Sequence, residues 1–405
     1  MDRTARQKLG IKRWIESGGC GSLVYCTGFG KTRVALTIIN AFTSKNPKAQ
    51  ILVVVPTQVL KDQWIEQLDS WGLSFTTRVE VINTVIKNDW SCDLLIIDEF
   101  HRAASETYIK IFQQVEYKFI LCLTGTLERL DMRHLLLEKY APVCDMITIE
   151  EAEQEGWVAP HKEYVVMLNV DLTEYEVANA RFNKAFSFFN FDFNRAMSAA
   201  TDWKVRNQIA KELNVEPKVV TAMAMEFSRN LRKRKDFIAN HPKKLEVARK
   251  IIEARKDRKI ITFSSTIAQS EAIGIGYVLH SKKSKKQNQE VIEKFNADTS
   301  AVLNTSKSAD EGVDLVGVNT EIILNTDSSK IRKTQRLGRS IRAEEGKIAE
   351  IFTLVIAGTQ EIKWLANSKT SKVITINEEQ LDKILAGESI ETRERNYTEN
   401  VEFRF

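Results

Sequence analysis

The chain has 405 residues, too many for one domain of ordinary size and enough for two or three. An apolar fraction of 43% supports real cores, and a net charge of +5 permits a nucleic-acid partner without requiring one. The opening "MDRTARQKLG" has no apolar leader and no run reaches the ~18 apolar residues of a membrane span, which argues against secretion and membrane insertion. Cys20, Cys26, Cys92, Cys122 and Cys144 form no C-x-x-C pair, so they are expected as reduced core thiols of a cytoplasmic protein, in the host cytoplasm if the source is viral.

The first 145 residues alternate short apolar runs with amphipathic stretches. "GSLVYC" (21–26) reads as a strand and "KTRVALTIINAF" (31–42) as a helix. "ILVVVP" (51–56) follows as a strand and "TQVLKDQWIEQLDSW" (57–71) as a helix, then "DLLIIDE" (93–99) and "KFILCLTGT" (118–126) as strands. Continuous apolar runs point to strands buried on both faces of a parallel sheet with helices over it. "GWVAPHKEYVVMLNVDL" (156–172) reads as a linker and a strand, and 174–255 as helical. The stripe of Phe182, Phe186, Phe188, Phe189, Phe191 and Phe193 reads as the core of a helical insert, with base stacking as the alternative. The run 228–259 holds thirteen Lys or Arg against four acids. It reads as a salt-laced helix leading into the second domain, with phosphate tracking as the alternative. "KKSKK" (282–286) reads as a solvated loop. A second α/β pattern follows, with strands at "KIITFSS" (259–265), "AVLNTS" (301–306), "TEIILNT" (320–326) and "AEIFTLVI" (349–356). The last thirty residues read as a short helix with a loose tail.

The chemistry starts at "YCTGFGKT" (25–32), between a strand and a helix. Gly30, Lys31 and Thr32 fit the end of a phosphate-binding loop, although Tyr25 stands where its first Gly should be. In the loop of Thr27, Gly28, Phe29 and Gly30, the glycines permit a tight turn that aims N–H groups at phosphate oxygens. Lys31 would reach the β- and γ-phosphates, and Thr32 would ligate Mg²⁺. "LLIIDEFH" delivers Asp98 and Glu99 to a strand's C-terminal edge, where Asp98 suits Mg²⁺ and Glu99 suits a general base.

With these residues in place the chain resembles the superfamily 2 helicases, in the branch of type III restriction motors, DEAH-like and phage recombination helicases. "DEFH" resembles the D-E-x-H box, and "VVVPTQVLKDQW" (53–64) the motif that contacts nucleic-acid backbone. "LTGT" (123–126) resembles the motif coupling ATP to the strand, and "ITFSST" (261–266) the strand opening the second motor domain. "SADEGVDL" (308–315) and "QRLGRSIR" (335–342) resemble the later motifs, the second carrying arginine fingers. The resemblance covers roughly 3–365. It implies two RecA-like doubly wound parallel-sheet domains, at 1–150 and 246–370. A linker (151–172), a helical insert between the two or at the start of the second (173–245) and a C-terminal tail (371–405) complete the layout. It also implies ATP as substrate, with Gln7 reading adenine and with Gly312 and Asp314 near ATP and strand. Arg339 and Arg342 would place charge on the γ-phosphate, and Gln335 would meet His101 or the attacking water. Thr57, Gln63, Thr126 and Thr305 are the implied nucleic-acid contacts. The implied partner is DNA, single-stranded or branched, ahead of RNA. No second enzymatic domain is visible, so a bare motor or one subunit beside an unknown partner is expected. An ATP-gated clamp that separates no strands, or an RNA helicase, is the alternative.

Overall fold

The computed structural model describes residues 1–125, 132, 134–306, 315–326, 348–367 and 373–390. The first domain runs α1 (Arg3–Glu16), β1 (Cys20–Tyr25), α2 (Lys31–Lys45), β2 (Ile51–Val55), α3 (Gln58–Ser70), β3 (Thr77–Val81) and α4 (Ile82–Val85). It continues with β4 (Trp90–Ile97), α5 (Ile111–Gln114), β5 (Val115–Thr124), α6 (His134–Glu138), β6 (Val143–Ile147) and α7 (Ile149–Gln154). Its six strands are parallel, in the order β3-β2-β4-β5-β1-β6. Side chains alternate across the sheet, so Ile51, Val53, Leu94 and Ile96 enter one core and Leu52, Val54, Leu95 and Ile97 the other. Both faces are covered, which is why these strands read as unbroken apolar runs.

The second domain opens with β7 (His161–Leu168), then α8 (Thr173–Phe188), α9 (Phe193–Thr201), α10 (Trp203–Leu213), α11 (Pro217–Asn240) and α12 (Pro242–Ala254). Next come β8 (Lys259–Ser264), α13 (Ile267–Ala272), β9 (Tyr277–Leu279), α14 (Lys285–Ala297), β10 (Ala301–Ser306) and β11 (Thr320–Ile323). β12 (Ala349–Ile356), α15 (Glu361–Asn367), β13 (Val373–Ile376) and α16 (Glu378–Leu385) complete it. Its seven strands are parallel, in the order β13-β7-β12-β11-β8-β10-β9. The expected pair of doubly wound parallel sheets is therefore present.

Two segments differ from expectation. Residues 151–172, placed between the domains as a linker with a strand, contain that strand as β7, and it belongs to the second sheet, pairing with β12 from His161 opposite Ala349 to Leu168 opposite Ile356. The second sheet thus begins before the helical insert, and α8–α11 sit between its first strand and β8. In the tail beyond residue 370, β13 adds to the sheet edge beside β7, ahead of the short helix. Within the insert, Phe182 and Phe189 pack with Phe227, while Phe191 and Phe193 are exposed. The basic run is salt-laced: Arg255 and Arg258 share Glu350, Lys243 meets Glu246 and Glu378, and Lys244 is buried on Glu361. Pro242 breaks it into two helices. In "KKSKK", Ser284 caps α14 in a reciprocal capping box with Gln287. Cys26, Cys92 and Cys122 are buried, and burial pushes the Cys26 and Cys92 thiols up to about 12.

Candidate active site and nucleic-acid interface

Sheet order assembles the site. β4, β5 and β1 are neighbours, with Ile97 opposite Cys122 and Val24 opposite Thr124. The phosphate-binding loop, the Thr124–Gly125 turn and the Asp98–Glu99 pair therefore leave adjacent strands at one sheet edge. A methyl group on Gly125 would lie 3.3 Å from Thr27 Oγ1 and 3.6 Å from Lys31 Nζ, so "LTGT" packs directly against the loop. Lys31 Nζ donates to the Tyr25 carbonyl at 3.4 Å, and Lys31 and Thr32 form the first turn of α2.

Gly28 (φ 87°) and Gly30 (φ 98°) adopt the left-handed conformation that disfavours other residues. Tyr25 does not, so its backbone does not demand the missing glycine. Its ring packs edge-on against Phe29 of the loop, with centroids 5.2 Å apart, and its hydroxyl donates a 2.7 Å hydrogen bond to Asp145 Oδ2. Gly10 of α1 makes room for it, since a Cβ there would fall 1.7 Å from the Tyr25 hydroxyl. Asp145, fully buried on β6, also accepts from Arg6 at 2.5 and 3.0 Å and from Arg13. Burial alone would raise this carboxyl, but hydrogen bonds from Arg6, Tyr25 and Arg13 hold it below the usual range. One acid thus fastens α1 to the end of β1.

Fastened in this way, α1 presents Gln7 and Arg3 to the loop. Gln7 Nε2 donates to the Phe29 carbonyl at 2.9 Å. Arg3 donates to the same carbonyl at 3.0 Å and to that of Gly28, with its guanidinium 5.7 Å from the Phe29 ring.

Asp98 is buried at the end of β4. Its Oδ1 accepts from the Glu99 N–H at 2.9 Å and its Oδ2 from the Trp64 indole N–H at 2.9 Å. Burial first, and the Glu99 charge second, push the Asp98 carboxyl up to about 6, against the Trp64 hydrogen bond and the Lys31 charge. A divalent cation would offset this cost. Among the described residues no three His, Cys, Asp or Glu side chains form a complete metal cluster. An ion held by one carboxylate, a hydroxyl, phosphate and water is the usual state of Mg²⁺, and Asp98 and Thr32 fit it. Glu99 has a left-handed backbone (φ 49°). His101 is buried, with Nδ1 3.0 Å from Thr124 Oγ1 and 3.5 Å from Glu99 Oε2, which ties "DEFH" to "LTGT".

The expected strand contacts fare unequally. Thr57 caps α3, accepting from the Leu60 N–H at 3.3 Å, and Gln63 is half-buried one turn and a half further along. Thr305 is fully buried and donates to the Thr262 carbonyl at 2.8 Å, so its side chain is a sheet-interior group, not a surface contact. Thr126, Gly312, Asp314, Gln335, Arg339 and Arg342 lie outside the described residues. Sequence reasoning missed Arg3, Asp145 and the role of Trp64. Asp145 is a lone acid inside the apolar run "VCDMI", and that was the available signal.

The family model described as the type III restriction enzyme, res subunit, matches residues 2–89 and 83–129, and that of the helicase conserved C-terminal domain matches 243–344. The chain is 26% identical over 383 residues to the "DNA 3'-5' translocase XPB2" of Sulfurisphaera tokodaii, covering 87% of this chain and 81% of that protein. In structure it resembles the Pyrococcus furiosus Hef helicase domain, with a TM-score of 0.54 at 14% identity over 89% of this chain and 98% of that one. Saccharomyces cerevisiae Dbp5 bound to RNA and ADP BeF3 gives 0.60 at 11% identity, over 94% and 91%. These likenesses establish both sheets as RecA-like. With the loop, the "DEFH" box and the "LTGT" turn on three adjacent strands, and with both motor halves matched in order, the chain belongs to the superfamily 2 helicases.

Proposed function

We propose that this chain is an ATP-dependent DNA helicase or translocase, working by opening and closing two RecA-like domains around the nucleotide. The observation that carries the reading is the convergence of loop, acidic box and coupling turn at one edge of the first sheet. The triphosphate lies along the N–H groups of 27–30 at the start of α2, with Lys31 against its β- and γ-phosphates. Thr32 and Asp98 hold Mg²⁺, which neutralises charge on the phosphate oxygens when bound. Glu99 takes the proton of the attacking water. We assign Arg339 and Arg342 to the charge on the γ-phosphate, Gln335 to the attacking water, and Gly312 and Asp314 to the nucleotide and strand. Gln7 reads the adenine from α1.

Thr57, Gln63 and Thr126 face the strand, and backbone contacts of this kind carry no base sequence, as a moving enzyme requires. DNA is favoured because the relative matched over most of both chains is a DNA translocase. Branched DNA and a partner subunit extend the same reading. Among the described residues no helix is long and apolar enough to cross a membrane. The test measures ATP turnover in parallel with single-stranded, duplex and forked DNA and with RNA, alongside displacement of a labelled strand. Stimulation by DNA with strand displacement or translocation is expected. Stimulation by RNA alone, or tight binding without movement, would replace the reading with an RNA helicase or a clamp.

A further inference from the structure

α3 carries two things at once. Its first turn is capped by Thr57, and Gln63 lies on it; both are strand contacts in the proposed function, on which this inference rests. The next residue, Trp64, is 2% exposed and donates its indole N–H to Asp98 Oδ2 at 2.9 Å. The other oxygen of Asp98 is held by the Glu99 N–H, a bond local to the strand end. Asp98 therefore has one hydrogen bond from its own turn and one from a separate helix. β2, which leads into α3, pairs directly with β4, which ends at Asp98, with Val54 opposite Ile97. The helix and the carboxylate are thus close neighbours joined by one polar contact.

We infer that Trp64 is a positioning residue that couples α3 to the Asp98 carboxylate, so that a strand pressing on the helix resets the site that holds the metal. A bond from a neutral donor to a charged acceptor inside a protein is strong, and its direction fixes the carboxylate plane. Displacing α3 by a few tenths of an ångström changes that bond while leaving the packing of the indole ring intact. Packing alone asks only for an aromatic of this size. It does not ask for an N–H aimed at the acid of the "DEFH" box.

Two replacements separate these roles. Trp64→Phe removes the donor with some volume, and β-(3-benzothienyl)alanine at position 64 removes only the N–H, putting sulfur in its place. Both should bind ATP and single-stranded DNA as the wild type does. DNA-saturated kcat should fall roughly 10- to 100-fold, the worth of one charge-assisted bond lost in the transition state. Mn²⁺ affinity, read by electron paramagnetic resonance in the presence of ADP, should weaken in parallel. In nucleotide-free protein labelled with ¹⁵N-tryptophan, the Trp64 indole signal, one of seven and absent from W64F, should shift when single-stranded DNA is added. The inference is overturned if the benzothienyl protein keeps wild-type kcat and Mn²⁺ affinity, or if the indole signal stays put while DNA demonstrably binds. Failure of the wild type to bind any nucleic acid would instead sink the functional reading, and the Mn²⁺ measurement would still judge the link from Trp64 to Asp98.

Discussion

Asp145→Asn tests the fastening of α1. The wild-type carboxylate is fully buried and faces Arg6, itself 8% exposed in its side chain, so neutralising the acid leaves a buried guanidinium with only the more exposed Glu151, 3.5 Å from its Nε, as counter-charge. Breaking such a pair costs about 3–5 kcal/mol, and the low end applies because Asn keeps the shape and one acceptor. At about 2–4 °C per kcal/mol for a domain of this size, the first domain should melt roughly 6–12 °C lower. Arg13→Ala is the internal comparison. Arg13 is half-exposed, and its loss should cost no more than about 1 kcal/mol. Calorimetry on both variants, with ADP titration to read nucleotide affinity, makes the measurement. ADP should bind more weakly to Asp145→Asn, because Gln7 and Arg3 ride on the same helix. The acid limb gives a second reading. A carboxyl held below its usual range stabilises the fold above about pH 4, and that contribution is lost as pH falls through its folded value. The stability gap between wild type and Asp145→Asn should therefore close below about pH 4. A melting shift no larger than that of Arg13→Ala, with a constant gap across pH, would refute the reasoning.

Lys31→Ala should keep its melting temperature and lose most nucleotide affinity, measured by titration calorimetry, since the side chain meets phosphate rather than core. Arg342→Ala should bind ATP and DNA nearly as the wild type does, while DNA-saturated hydrolysis falls by roughly 10³-fold or more, the low end of an arginine finger. Arg342→Lys should recover little of this, because an ammonium lacks the planar fork of donors; turnover of both variants decides it. Affinity for single-stranded DNA should fall steeply with salt, with a log–log slope of about 0.7 per phosphate contacted, followed by fluorescence anisotropy.

The central strands were legible because they are buried on both faces, which leaves unbroken apolar runs such as "ILVVV" and "DLLII". The edges were not. β3 ("TRVEV"), β9 ("YVL") and β13 ("VITI") lie at sheet margins, where partial exposure breaks or shortens the pattern. β7 read as a strand but not as a member of the second sheet, because its partner β12 lies far along the chain and pairing leaves no local trace. The loop and the acidic box were legible from residue types their chemistry requires. Trp64 stands inside a motif that resembles a strand-contacting one, and only the fold turns its N–H toward Asp98. Tyr25 looked like a defect in the loop. Its tolerance comes from Gly10 and Asp145, at distant positions that no spacing rule connects. Thr305 shows the converse, a motif position whose side chain the sheet keeps for itself.

The early placement of β7 bears on how the chain is made. His161 must wait for Ala349 before β7 gains its neighbour in the sheet. At ribosomal speeds of about 5–20 residues per second, that wait lasts roughly 10–40 s. The first domain has all six of its strands before β7 emerges and can fold in that interval. The insert, whose Phe182, Phe189 and Phe227 close a core of their own, can follow it. β7 meanwhile presents bare backbone on both edges, a template for unwanted strand pairing. Synthesis order therefore makes the nascent second sheet the point at which this chain most needs protection from its neighbours on a crowded polysome.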